Sequence, residues 1–156
     1  MTSLPLHPLV VHAAVMLLVL VPLGVLVSLV WPGLRNRLDW LLPVGALGGF
    51  VAAIAAERTG QDLVAQLKQG SELVAKHADL GEKGPWVAGV FALATIGWWL
   101  TSSQVAATWV DARLPWIRRG RLPLIASVLM AIACAVTLVV IFLLGDSGAT
   151  AVWTSR

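Results

Sequence analysis

Apolar residues fall into four blocks, roughly 9–31, 41–56, 85–102 and 122–144, each broken by Pro, Gly or small polar residues and none by a lysine, arginine or carboxylate. As helices rising ~1.5 Å per residue they reach roughly 24–35 Å, against a bilayer hydrocarbon core of about 30 Å, so the second and third sit near the short limit. None alternates strictly, and Leu, Ala and Gly are common throughout, which predicts helices rather than barrel strands. In the long connection 57–84, Leu63, Val64, Leu67, Leu73 and Val74 recur at helical spacing among charged residues. That pattern predicts an amphipathic helical segment broken at Gly70–Ser71, with a new helix capped by Ser71 and running through His77 toward the third block. Pro85 either kinks that helix or marks the start of the next.

Composition turns these helices into spans. With 58% hydrophobic residues, 12% charged residues and a mean hydropathy of +0.86, a chain of 156 residues carries more apolar surface than one soluble core can hide. The expectation is an all-α integral membrane protein, one domain over 1–156, folded as a four-helix up-down bundle with the amphipathic segment in its long outer loop. The first block is read as a retained helix and not a secretory signal, because no Lys or Arg precedes it and it is too long.

Charge orients the bundle. Arg35 and Arg37 follow the first block, and Arg113, Arg118, Arg119 and Arg121 precede the fourth; the other side holds Arg58, Lys68, Lys76, Lys83 and Arg156. The dense arginines flush against helix ends in the two short loops mark the inner side, leaving both termini and the loop 57–84 outside a bacterial cytoplasmic membrane. Trp31, Trp40, Trp109 and Trp116 would line the inner interface and Trp86 and Trp153 the outer one, while Trp98 and Trp99 fall deeper and read as packing or lipid-facing residues.

Several features read as structural. Gly45, Gly49, Ala52 or Ala53, and Ala56 make a small-residue stripe suited to close packing on a neighbouring helix of the same chain. Pro8 and Pro123 read as helix starters, Pro22 and Pro43 as candidate kinks. Cys134, the single cysteine, reads as an inert core thiol. No phosphate loop, dinucleotide glycine pattern, nucleophile elbow or HExxH occurs. No nucleic-acid motif occurs either, so the pI of 9.8 is assigned to arginines that fix topology and attract anionic lipid.

The chain has three histidines, and the expected topology brings all of them to the outer face. His7, His12, Glu57, His77, Asp146 and Ser147 would lie within a turn or two of the outer helix ends. Imidazoles and carboxylates are ligands for transition metals, and two imidazoles from different helices can clamp a haem iron from both sides. His12 and His77 are the expected cofactor-binding pair, with His7, Asp146 and Glu57 as further candidate metal ligands. His7 and His12 are five residues apart, about 140° around one helix, so they would not face a single ion. Each ligating ring would need its second nitrogen held by Glu57, Asp146 or a backbone carbonyl. A purely structural polar cap, and a role in proton transfer or ligand binding, are the competing readings of the same residues.

LPLHPLVVH opening the first helix, SELVAKHADLGE leading into the third and GDSGATAVW closing the fourth resemble the bacterial membrane family catalogued as domain of unknown function 2231, over nearly the whole chain. The resemblance implies a four-helix bundle of unassigned activity; relatives joined to Rieske-type iron–sulfur domains imply a redox setting. His7, His12 and His77 match the family pattern. Asp146 departs from it, since a histidine often stands there in GHSGA, which speaks against a four-histidine, two-haem arrangement. Two functions follow as expectations. One is a redox protein holding haem b or a metal at its outer face and exchanging electrons with a quinone or a protein partner. The other is a non-catalytic membrane subunit or scaffold whose outer cap and loop bind a partner.

Overall fold

A computed structural model of the chain describes residues 6–66 and 72–153. It is helical throughout: α1 (Leu6–Val30), α2 (Pro32–Leu38), α3 (Leu41–Gln66), α4 (Glu72–Gly81), α5 (Gly84–Ser102), α6 (Ala107–Arg113), a 3-10 turn (Pro115–Arg118) and α7 (Leu122–Trp153), with no strand among the described residues. Four helical runs are long and apolar enough to cross a membrane: His7–Val30, Leu41–Ala65, Glu72–Ser102 and Leu122–Ala151.

Two of these helices outrun their apolar blocks. Leu41–Gln66 continues ten residues past Ala56 through Glu57, Arg58, Thr59 and Gly60, and Leu122–Trp153 continues nine past Leu144 through Gly145, Asp146, Ser147 and Gly148. Adding a residue to an existing helix costs little once the ladder is formed, so polar residues at its end are carried along in helical register. The amphipathic stretch is thereby divided between the tail of α3 and α4; the expected break at Gly70–Ser71 lies outside the described residues. Pro85 occupies the first turn of α5, where its missing N–H has no helical partner to lose, so it starts the helix. Pro43, expected as a candidate kink, likewise falls in the first turn of α3 and acts as a starter. The short helices α2 and α6 lie in connections that carry no apolar periodicity.

The long helices pack in a ring, α1 on α3, α3 on α5, α5 on α7 and α7 on α1, with α4 resting mainly on α7. The small-residue stripe of α3 serves the first of these contacts. A Cβ at Gly45 would stand 2.8 Å from Val21 Cγ2 and one at Gly49 would stand 2.9 Å from Leu18 Cδ2, so the α1 side chains occupy the room the glycines leave. The core includes Leu18, Val25, Phe91, Met130 and Cys134, and the outward faces stay apolar: Leu9 is 71%, Leu93 72% and Phe142 71% exposed. Apolar exposure on that scale suits contact with another apolar phase.

Trp31, Trp40, Trp109 and Trp116 are exposed near the arginine-rich end and Trp86 and Trp153 toward the other. Trp98 is buried and donates to Ser127 Oγ at 3.2 Å, joining the end of α5 to the start of α7. Trp99 does more than pack. Its Nε1 donates to Oδ1 of buried Asp39 at 2.5 Å, and Ser103 Oγ donates to the same oxygen at 2.7 Å. Ser103 Oγ in turn accepts the Ala106 amide at 3.1 Å, opening α6. Arg118 closes the knot by donating to the carbonyl oxygens of Leu100 and Ser103, which the end of α5 leaves without helical donors, and by facing Asp111 at 3.4 Å. Asp39→Ala, which strands the buried Ser103 hydroxyl and the half-buried Trp99 indole N–H, should cost about 2–4 kcal/mol in unfolding from detergent micelles, and Ser103→Ala about 1 kcal/mol. Equal stability of Asp39→Ala and the parent chain would show that the knot contributes nothing.

Candidate functional site

The end opposite the knot gathers the histidines, and two of them are held by one device used twice. His7, in the first turn of α1, places Nδ1 3.0 Å from Thr59 Oγ1 on the extension of α3. Thr59 Oγ1 bonds to the Ala55 and Ala56 carbonyl oxygens of its own helix at 2.9 and 3.1 Å. A hydroxyl has one proton, and carbonyl oxygens only accept, so that proton is committed to the helix and Thr59 receives a hydrogen bond from His7 Nδ1–H. His77, on α4, places Nδ1 2.9 Å from Ser147 Oγ on the extension of α7, and that hydroxyl donates to the Leu144 carbonyl at 3.1 Å. The same reasoning gives His77 its proton on Nδ1.

A glycine follows each hydroxyl. A Cβ at Gly60 would stand 3.0 Å from His7 Cε1, and a Cβ at Gly148 would stand 3.0 Å from His77 Cε1. Both rings therefore lie close against a helix backbone, half-buried, with position and tautomer set by a hydroxyl–glycine pair on a facing helix. Their Nε2 atoms keep lone pairs, the form in which imidazole ligates a metal. The two rings also stand within electrostatic reach of each other.

The other expected residues are placed differently. His12 is exposed and satisfies its own helix, Nδ1 donating to the Pro8 carbonyl at 2.6 Å. Of the two backings expected for a ligating ring, carboxylate or backbone carbonyl, His12 has the carbonyl, whereas His7 and His77 have hydroxyls. Glu57 receives a hydrogen bond from Gln61 Nε2 at 3.4 Å within α3. Asp146 is exposed, has no partner among the described residues, and borders a groove between α1 and α7. It neighbours Ser147 in sequence, but consecutive helical residues diverge by about 100°, so the carboxylate turns away from the His77 ring. Among the described residues no three of His, Cys, Asp and Glu form a group able to hold a metal ion by themselves.

Thr59, Gly60 and Gly148 were not anticipated from the apolar pattern. Their signal in the sequence is a hydroxyl–glycine dipeptide, Thr59–Gly60 and Ser147–Gly148, shortly after the second and the fourth apolar blocks. Compared with protein-family models, curated proteins and solved structures, the chain has no match in any of the three. Geometry alone carries the functional reading.

Isotope-labelled histidine NMR should find His7 and His77 in the Nδ1–H form when neutral. Thr59→Val should remove that preference at His7 while leaving His77 unchanged. An Nε2–H tautomer at either ring in the parent protein would overturn the assigned hydrogen-bond directions.

Proposed function

We propose that the chain is an up-down four-helix bundle of a bacterial cytoplasmic membrane, with termini and the 57–84 connection outside, that binds b-type haem at its outer end through His7 and His77 and passes electrons. The observation that carries this reading is the duplicated histidine–hydroxyl pair, in which two imidazoles from different helices are fixed with Nε2 free. Two ligands do not make a closed site for a bare transition metal, but they suffice for an iron that brings four ring nitrogens of its own. Haem therefore fits this ligand set better than zinc or copper does, and helix-borne imidazoles inside a bundle are a common way to hold such a cofactor. What it would supply is one-electron chemistry. The chain's own contribution is to fix the rings, hold their tautomers and keep lipid on every other side.

His7 replaces His12 as the partner of His77 in this reading, because His12 bonds its own first turn and is exposed while His7 shares the anchored geometry. Membership of the family of unknown function 2231 belongs to the same proposal and rests on the three sequence motifs named above. So does the membrane orientation, which rests on the arginines beside the inner helix ends.

Orientation is tested by single cysteines in a Cys134→Ala background. A cysteine at Glu72 should react with an impermeant thiol reagent in intact cells and one at Asn36 should not; the reverse pattern would place the histidines inside. Haem is tested by colour. Protein produced with haem available should show a Soret band, His7→Ala and His77→Ala should each cut occupancy at least ~10-fold, and Thr59→Val and Ser147→Ala should weaken binding ~10-fold through loss of ring orientation. His12→Ala should keep the band. Colourless parent protein would end the haem reading and leave the histidine end as a polar cap that binds a protein partner.

A further inference from the structure

The groove that Asp146 borders is the least expected feature of the ring. It is an open groove between α1 and α7 with room for about 540 Å³, walled by Val15 and Val19 on one side and Ile141 and Phe142 on the other, with Gly145 and Asp146 among its lining residues. Gly145 has no packing reason to be glycine. A Cβ there would meet nothing within 4 Å, and glycine inside a helix is less favourable than alanine by about 1 kcal/mol. Nothing in the chain comes close to its backbone, so the open space beside it suits a molecule that is not part of the chain.

Asp146 is the ionisable residue among those lining the groove, and its carboxylate accepts. Asp146 is exposed and has no partner among the described residues. His12 stands three and seven residues before Val15 and Val19, which continues the groove-facing line of α1 one turn outward. Its Nδ1 proton is committed to the Pro8 carbonyl, so the neutral ring has only the Nε2 lone pair to offer. A carboxylate at the mouth disfavours a phosphate headgroup by like charge. Two acceptors above an apolar wall suit instead a neutral amphiphile with two hydroxyl donors and an apolar ring and tail.

We propose that the α1–α7 seam binds a membrane hydroquinone, its ring and tail along Val15, Val19, Ile141 and Phe142 and its hydroxyls donating to Asp146 and His12. The oxidised quinone has two carbonyl acceptors and no donor, so it leaves both protein groups unanswered. The site therefore prefers the reduced form. Oxidation there releases two protons and two electrons: Asp146 and His12 each take one proton, and the electrons leave singly to a one-electron acceptor of the kind proposed at His7 and His77. Only this redox consequence rests on the haem reading; the binding does not.

The test uses the full chain in nanodiscs of neutral phospholipid, with a decyl-substituted benzohydroquinone and its quinone as probes in equilibrium binding. The parent should bind the hydroquinone at least ~10-fold tighter than the quinone, the margin expected of hydrogen bonds to a charged acceptor. Asp146→Asn should lose that preference, since an amide offers donors as well as an acceptor. Gly145→Leu, whose side chain enters open space, should block both probes while leaving helical content by circular dichroism unchanged. Equal affinity for the two probes, undiminished binding in Gly145→Leu, or displacement of the hydroquinone by anionic phospholipid would overturn the proposal; the last result would make the seam a lipid site. Hydroquinone binding by a parent protein with no Soret band retires the haem reading alone. A Soret band without hydroquinone binding retires the groove alone.

Discussion

A backbone amide in apolar surroundings has to find its partner within the protein, and here the i→i−4 ladder supplies nearly all of them. That requirement keeps the long helices unbroken where the apolar pattern stops. α3 does not end at Ala56, nor α7 at Leu144, because a helix already formed extends more cheaply than a new loop is built. The extension turns Thr59 and Ser147 from loop residues into helical ones. Each hydroxyl then bonds back to a carbonyl of its own helix, and only this fixes which way the histidine hydrogen bonds run. Ring tautomer at the histidine end is thus inherited from helix continuity.

The two ends of the bundle settle their polar groups in different ways. At the arginine end the connections between helices are wound into α2, α6 and a 3-10 turn, and their loose donors and acceptors close on Asp39, Ser103 and Arg118. Most donors and acceptors meet there within the protein, Arg35 Nε being a buried exception. At the histidine end one nitrogen of each imidazole is satisfied and the other is left open. The bundle is thus tied together by side-chain hydrogen bonds at one end and leaves imidazole nitrogens open at the other.

The four apolar runs and the packing role of the α3 stripe are legible in the sequence, because each follows from periodicity or residue size; Pro85 is legible only as a kink or a start, and the register of α5 decides for the start. Trp99, Asp39 and Ser103 were not, since their meeting joins residues 60 and 64 positions apart and no local pattern announces it. The histidines were recognisable as candidates by scarcity alone. Their partners were hidden because Thr and Ser beyond an apolar block look like solvated helix ends. Only the register of α3 and α7 shows that they stand across from His7 and His77. Pro43 reads as a candidate kink because it stands inside an apolar block, but three residues into α3 its missing N–H falls in the first turn and costs the ladder nothing.

Both imidazoles come from the first half of the chain, but their hydroxyl partners do not, and that has a consequence for the order in which the protein can be made. During synthesis from the N-terminus, the His7–Thr59 pair is complete as soon as α3 has emerged. His77 waits for Ser147, which lies 70 residues later and near the end of the last long helix. Between those two moments a nascent chain holds a first ring that is fully set and a second without its counterpart, so the two anchored rings coexist only when the final helix docks. Chains cut short before α7 closes cannot present both anchored rings, which ties the geometry of this end to completion of the fold.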